Sequence, residues 1–447
     1  MISALPVWYD AFQVGALDVD RATGAATFGY DRRWLASRNA FPISVTMPLG
    51  DRPHADPIVR PWLANLLPEE QALAGVARAL GHDPSDSVAI LAGIGGDTAG
   101  ALSFGEAADP ADWRYKGLVD VYASSGSDDD GSRSEEEAAL AAHVRDLTRR
   151  PFLAGEDGVR QSLAGGQSKS ALAILDPDGQ PVLRTPRPDD TLALPLAGAP
   201  STVIVKPSNP NLPGIVENEA YCLTLAAAIG LPAAETAICR AGDGNVLVVL
   251  RYDRRIGRGG RPMRIHQEDF AQANGVYPAY KYERGSVPGP SLATILATGR
   301  LVPPTDRLAL LDQVIFNILV ANSDAHAKNY SLILTGRPTL APLYDVSTVL
   351  PWSHVNQYFA QNIAGKKRKP GDIARRHWTR LAAESGFSAG QTRSRVAALV
   401  DAMVAARPSA VARVAGQEGA KAEIVERVAG MIEVNALRIL GRLNDPN

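Results

Sequence analysis

Asn322-Ser323-Asp324-Ala325-His326-Ala327-Lys328-Asn329, with Asp345 sixteen residues further on, is the stretch that decides how this chain is read. It is preceded by DRLALLDQVIFNILVANSD (306–324), whose dense apolar spacing predicts a buried helix ending near Asn322. YSLIL (330–334), a Gly-Arg-Pro turn and LAPLYDV (340–346) follow, which predict a hairpin that delivers Asp345 back beside the loop. Two carboxylates and an amide, all hard oxygen donors, are thus grouped by local chain geometry.

Phosphoryl transfer asks little covalent chemistry of a protein. It needs a carboxylate to orient the attacking hydroxyl and oxygen ligands for magnesium beside the nucleotide phosphates. Protein kinases place an Asp base five residues before an Asn ligand, then bring a second metal-binding Asp on a hairpin. Asp324, Asn329 and Asp345 reproduce that order and spacing. Taken singly, each has a plainer reading: Asp324 as a residue closing a helix, His326 as a hydrogen-bonded structural ring. The joint pattern favours catalysis.

A nucleotide must also be held. Lys206 ends the strand STVIVK (201–206), where its ammonium would reach a phosphate while its stem packs on apolar neighbours. Glu219 in the following helix either pairs with Lys206 or sits at that helix start for its dipole. Upstream, Ser162-Leu163-Ala164-Gly165-Gly166-Gln167-Ser168-Lys169-Ser170 is a glycine-rich loop whose amides would approach phosphate oxygens. No Gly stands directly before Lys169, so the loop is not a Walker A motif.

The bulk properties set limits. At 447 residues the chain exceeds one hydrophobic core, and its 45% apolar and 21% charged content is that of a globular protein. A formal charge of −2 excludes a global pull toward nucleic acid. Two cysteines, Cys222 and Cys239, form no disulfide framework or zinc pattern and are expected to be buried thiols. MISALPVWYDAFQVG lacks the basic start and apolar core of a signal peptide, and no apolar run is long enough to span a bilayer, so a cytoplasmic location is expected.

The N-terminal third reads as α+β. VWYDAFQVGALDVD and ATFGYD alternate like hairpin strands, while IVRPWLANLLPEEQALAGVARALG reads as two helices broken near Pro68. LAGIGGDTAGALSFG is expected to be a tight loop entering a strand. SSGSDDDGSRSEEE (124–137) reads as a flexible acidic loop before a helix starting near Glu135; DDDG lacks the downstream Glu of a calcium loop. SALAILD and PVLRTP suggest a hairpin, VLVVLRYDR a strand, ENEAYCLTLAAAIGLP a helix, and the chain beyond Trp378 a set of helices.

At this point the residues resemble a known family, the HipA-type toxin kinases of type II toxin–antitoxin systems. NSDAHAKNYSLIL and LAPLYDVSTV look like its catalytic and metal-binding segments, and LAGGQSKSALAIL like its nucleotide loop. VIVKPSNPNLPGIVENEAYCLTLAAAIGLP is similar to its lysine strand and helix, and HQEDFAQANG to its segment between lobes. FPISVTMPL, NLLPEEQAL and IGGDTAGALSF resemble its N-terminal subdomain. The similarity covers most of residues 5–385.

That resemblance implies an α+β, two-lobed protein-kinase-like fold with a small N-terminal α+β subdomain and a helical C-terminal lobe. The expected divisions are an N-terminal subdomain (1–123), the acidic loop (124–137), an N-lobe (138–255) and a C-lobe (256–447). It implies an ATP- and Mg2+-dependent serine/threonine kinase with Asp324 as base, His326 in the catalytic loop, and Asn329 and Asp345 as metal ligands. Gly165, Gly166, Gln167, Ser168, Lys169 and Lys206 would face the phosphates. Leu250 and Tyr252 would meet adenine through main-chain groups, with Asp253 near the ribose. Ser162 matches the inhibitory autophosphorylation serine. Leu250 and Ser168 depart from commoner glutamates, and the acidic loop has no clear counterpart.

The implied partners are a HipB-like helix-turn-helix antitoxin, operator DNA through that complex, and a protein substrate among translation components such as an aminoacyl-tRNA synthetase. Lys366 and Lys367, within the basic run 365–369, would supply any direct DNA contact; a solvated loop is the other reading. Two further functions compete with a protein kinase: a catalytically silent corepressor scaffold, and a small-molecule kinase on the same fold.

Overall fold

The computed structural model describes residues 4–107, 109–123, 134–150, 158–165, 167–284 and 289–444. Gly166 and residues 124–133 of the expected acidic loop lie outside the described residues. Ser134 onward is described: its side chain caps the helix Glu135–Arg149, with Glu135, Glu136 and Glu137 in the first turn, where the helix dipole favours them.

The chain forms two compact units that are not contiguous in sequence. The first comprises 1–207, 240–268 and 333–336; the second 208–239, 269–332 and 337–447. This division differs from the linear one expected above. The N-terminal third and the strands around Lys206 fall in one unit, and the helix Ile215–Ala228 falls in the other.

Two larger antiparallel sheets organise the first unit, beside shorter two-stranded pairings. One runs Ala26–Tyr30, Phe12–Val19, Ala4–Tyr9, Leu102–Phe104 in spatial order. Alternation puts Leu5, Val7, Val14, Leu17 and Phe28 into a core shared with Trp34, Phe41, Trp62 and Phe104. The helices Asp56–Ala64 and Glu70–Leu80 cover that core. The glycine-rich stretch is less loop-like than expected. Asp86 caps a helix over Ser87–Ile94, and the turn begins only at Gly95. There a side chain would collide with the Leu91 carbonyl, 2.4 Å from an added Cβ.

The other sheet places Arg114–Gly117, Thr191–Leu196, Ser170–Leu175, Val203–Pro207 and Gly244–Leu250 side by side. Ser170–Leu175 is buried along its whole length, as expected of a central strand, and pairs with only Pro181–Val182 of the predicted hairpin arm.

A buried ionic knot ties the IGGDTAG segment to Arg251–Arg264 within this unit. Asp97 Oδ1 accepts from Arg254 Nη2 at 2.7 Å and Arg264 Nε at 3.1 Å, while Oδ2 accepts from Ser201 Oγ at 2.6 Å. Asp253 takes Arg251 Nε at 2.9 Å and Nη2 at 2.7 Å, with the Gly100 amide at 2.7 Å. Burial opposes the charge on Asp97, yet Arg254, Arg251 and Arg264 outweigh it and hold its carboxyl well below the usual range.

The second unit is helical. Ala389–Ala415 packs against Ala422–Asn444 and Ile215–Ala228, and the helix Pro304–Leu319 contacts both of the first two. Cys222 is buried and Cys239 half-buried; both thiols are free, and burial pushes Cys239 up to about 11. Among the described residues no helix is long and apolar enough to cross a membrane.

Candidate catalytic loop and nucleotide-facing residues

Asp324, Asn329 and Asp345, the candidate catalytic and metal-binding residues, all lie in the second unit. The helix Pro304–Leu319 ends because Ala321 turns into the left-handed region at φ 58°, and Asn435 Nδ2 caps the Leu319 carbonyl at 2.7 Å. Asn322 is then fixed on both sides: its Nδ2 donates to Asn317 Oδ1 at 2.9 Å and its Oδ1 accepts the Asp324 amide at 3.0 Å. Asn317 in turn meets the Tyr330 hydroxyl at 3.2 Å. This chain of amides sets where Asp324 begins.

Asp324 and Asn329 face each other across the loop. Asn329 Nδ2 donates to the Asp324 carbonyl at 2.9 Å, so its oxygen is the ligand atom the side chain has to offer. The Asp324 side chain has an open edge, but surrounding protein strips much of its hydration. Desolvation, the largest effect, together with the nearby Asp345 charge raises its carboxyl to about 6 against the Tyr282 hydrogen bond, Lys281 and Arg284. Asp345 is therefore close enough for its charge to be felt. Its φ of 56° is left-handed, a strained conformation that aspartate tolerates better than most residues.

The hairpin that carries Asp345 is shorter than the sequence suggests. Its strands are Ser331–Ile333 and Thr339–Leu340, because Pro342 cannot donate to a ladder. Side chains take over from there. Tyr344 donates to the Lys328 carbonyl at 2.6 Å and bonds Ser331 Oγ at 2.7 Å. Asn218 clamps Thr348 through both main-chain groups, each at 2.8 Å.

Lys328 is buried and pairs with Asp269 at 2.9 Å, which anchors the loop from below. His326 is buried too, edge-on to the Tyr282 ring at 5.0 Å, and its Nδ1 has no hydrogen-bond partner among the described residues. Desolvation, then the charge of Lys281, holds its pKa well below the usual value, so the imidazole is neutral. In this structure the ring packs against Tyr282 inside the loop.

The candidate nucleotide residues lie in the first unit, Glu219 in the second. Lys206 is buried on a central strand, opposite Leu247, and Leu250 pairs with Val203. The Tyr252 hydroxyl donates to Gln267 at 2.9 Å. Asp253, expected near a ribose, has both carboxylate oxygens engaged by Arg251 and the Gly100 amide, so its place in this structure is in the ionic knot.

The glycine-rich loop is folded onto its own unit. Lys169 donates to the Ala164 carbonyl, and a Cβ on Gly165, whose φ is 104°, would sit 2.8 Å from Lys169 Nζ. Gly165 bridges Pro68, and Ser162 is fully buried with its hydroxyl on the Leu66 carbonyl at 2.7 Å. Gln167 is half-buried and Ser168 exposed.

The pair Asn329 and Asp345 offers an amide oxygen and a carboxylate, the hard donors magnesium takes, and Asp324 adds a second carboxylate nearby. Two carboxylates whose charges oppose each other are a place a divalent cation would relieve. Among the described residues no group of three or more His, Cys, Asp or Glu side chains forms a metal site. Sequence reasoning missed Asn218, Asn317, Tyr282 and the Lys328–Asp269 pair. Only Asn322, two residues before Asp324, carried a local signal.

Family models match two parts of the chain: the HipA N-terminal domain over residues 5–105 and the HipA-like C-terminal domain over 161–411. A putative kinase of Sinorhizobium fredii, Y4mE, is 37% identical over 418 residues, covering 92% of each chain. The serine/threonine-protein kinase toxin HipA of Shewanella oneidensis is 29% identical over 365 residues, 78% of this chain and 76% of that one. A solved structure of Shewanella oneidensis HipA with HipB and operator DNA superposes with a TM-score of 0.78 at 23% identity, covering 98% of both chains. The fold is the one shared with that structure.

Proposed function

Since the chain belongs to the HipA family, we propose that it is an ATP-dependent serine/threonine protein kinase acting as a toxin. The observation that carries this reading is the loop in which the Asn329 amide is bonded to the Asp324 carbonyl, with Asp345, on a left-handed turn, bearing electrostatically on the Asp324 carboxyl.

In the reaction, Asp324 accepts the proton of the attacking hydroxyl. A carboxyl titrating near 6 is ionised at neutral pH yet basic enough to take that proton. Asn329 and Asp345 would hold magnesium, which would neutralise charge on the phosphate oxygens. The Asn322–Asn317–Tyr330 chain and Lys328–Asp269 keep these groups from drifting. Lys206, Gln167, Ser168, Lys169 and the glycines of the loop serve the phosphates, and main-chain groups at Leu250 and Tyr252 serve adenine. Asp253 is left out of this assignment, because its carboxylate is already engaged.

Ser162 serves as an inhibitory phosphorylation site. Its hydroxyl is buried against Leu66, where a dianionic phosphate has no room. Modification therefore requires the 162–169 segment to leave its seat, and the added charge keeps it out. The substrate is a translation component. By analogy with the Shewanella complex, a HipB-like antitoxin and operator DNA are the partners, with the exposed Lys366 and Lys367 available to phosphates.

Asp324→Asn tests the reading. With Mg-ATP the wild type transfers phosphate to protein and arrests growth when expressed. The variant loses the transfer by about 10²- to 10⁴-fold, the usual contribution of a general base, and no longer arrests growth. Undiminished transfer in Asp324→Asn would sink the proposal.

A further inference from the structure

Within the second unit one side chain already does what a kinase acceptor must do. The Tyr282 hydroxyl donates to Asp324 Oδ1, the oxygen assigned above to take a proton from the attacking hydroxyl. A phenol so placed and a serine hydroxyl in position to react would compete for the same lone pair.

The contact is built rather than incidental. Arg284 lies 3.8 Å over the Tyr282 ring, with Lys281 Nζ 5.4 Å from the same centroid and the His326 ring edge-on at 5.0 Å. The segment is pinned to the catalytic loop by the Ala327 amide on the Lys281 carbonyl at 3.2 Å. On its other side, the Glu283 amide donates to the Ala360 carbonyl at 3.1 Å, and Glu283 Oε2 accepts the Asn362 amide at 2.8 Å. The Gly289 amide donates to the Tyr282 carbonyl at 3.1 Å; a Cβ on Gly289 would lie 1.8 Å from the Tyr280 carbonyl. The ring itself is half-buried, packed against its basic and imidazole neighbours and hydrogen-bonded to Asp324.

We propose that Tyr282 is a built-in placeholder for the acceptor, occupying Asp324 until an incoming serine or threonine hydroxyl displaces it. The inference rests on the kinase reading. It gives a role to Lys281 and Arg284, the basic pair that flanks the ring. Rotation of the ring about its side-chain bonds clears the carboxylate without unseating the segment.

The test is phosphate release from Mg-ATP with water as the acceptor, which meets the same obstruction and needs no identified substrate. Tyr282→Phe keeps the ring and its stacking but removes the competing hydroxyl. It is expected to raise the maximal rate about tenfold, the lower end of what a hydrogen bond to a charged group is worth, with the KM for ATP unchanged. Arg284→Ala, which loosens the ring, is expected to give a smaller rise. A Tyr282→Phe rate equal to or below that of an active wild type overturns the placeholder and leaves the kinase reading standing. Wild type and Tyr282→Phe both as inactive as Asp324→Asn would overturn the two together.

Discussion

Replacing Asp97 with asparagine changes one oxygen to nitrogen in a side chain that is 2% exposed, and the structure allows its effect to be worked through. Two buried carboxylates, Asp97 and Asp253, face three buried arginines, Arg251, Arg254 and Arg264, with Asp10 as a partly exposed third acid. The Asp97→Asn variant leaves those arginines with one buried counter-charge. Its new amide donor must also point at Arg254 and Arg264, or else at Ser201 and Arg251, all of which already donate. Breaking a buried ion pair from one side costs about 3–5 kcal/mol. For a unit of this size that is a fall in melting temperature of roughly 10 °C. Hydrogen exchange read by mass spectrometry localises the change: peptides over 97–104 and 251–264 lose protection first. Pairing Asp97→Asn with Arg264→Gln should recover about 1–2 kcal/mol of coupling. A destabilisation below about 1 kcal/mol, or strict additivity in the double variant, would refute the idea that this knot fastens the N-terminal sheet region to the Arg251–Arg264 segment.

Other consequences follow from the same structure. Ser162→Glu puts a charge where the hydroxyl is fully buried, so the 161–169 segment should gain protease sensitivity and ATP affinity should fall at least about tenfold. Ser162→Ala should lose only about 1 kcal/mol and keep its affinity, as judged by calorimetry. His266 is buried, stacked on Phe41 at 5.0 Å, with Nε2 on the Ile43 carbonyl at 2.8 Å; burial lowers its pKa to about 4. The unfolded chain protonates this ring near 6.5 while the folded one stays neutral. Its contribution is therefore complete above about 6.5 and declines by about 3 kcal/mol as the pH falls toward 4. Urea midpoints for His266→Phe should show a correspondingly weaker acid dependence, and parallel pH profiles would contradict that.

How much of this is legible in the sequence varies by element. The buried helix before Asn322 and the order Asp324, Asn329, Asp345 are readable because the pattern is local and the spacing is chemical. The candidate catalytic residues are legible as types, but not what holds them. Asn218, Asn317 and Lys328 act through partners that only the folded chain brings near, and none has a distinctive neighbourhood in sequence. Asp97 looks like a polar residue in a glycine-dense turn. Its three arginines lie more than 150 residues further along the chain, and nothing local announces them. Asp253 is hidden differently: its position suggests a ribose, yet the arginines flanking it take its carboxylate. Pro342 is visible in LAPLYDV, but the apolar run around it masks its power to end the second strand at Leu340.

Electron paramagnetic resonance of Mn2+, standing in for magnesium, reaches the central claim most directly. With a non-hydrolysable ATP analogue present, the free-ion signal of the wild type should fall as the ion is taken up. Asp345→Ala and Asn329→Ala should each leave it largely undiminished while the analogue still binds. Equal nucleotide-dependent uptake by wild type and Asp345→Ala would mean that these residues hold no catalytic cation.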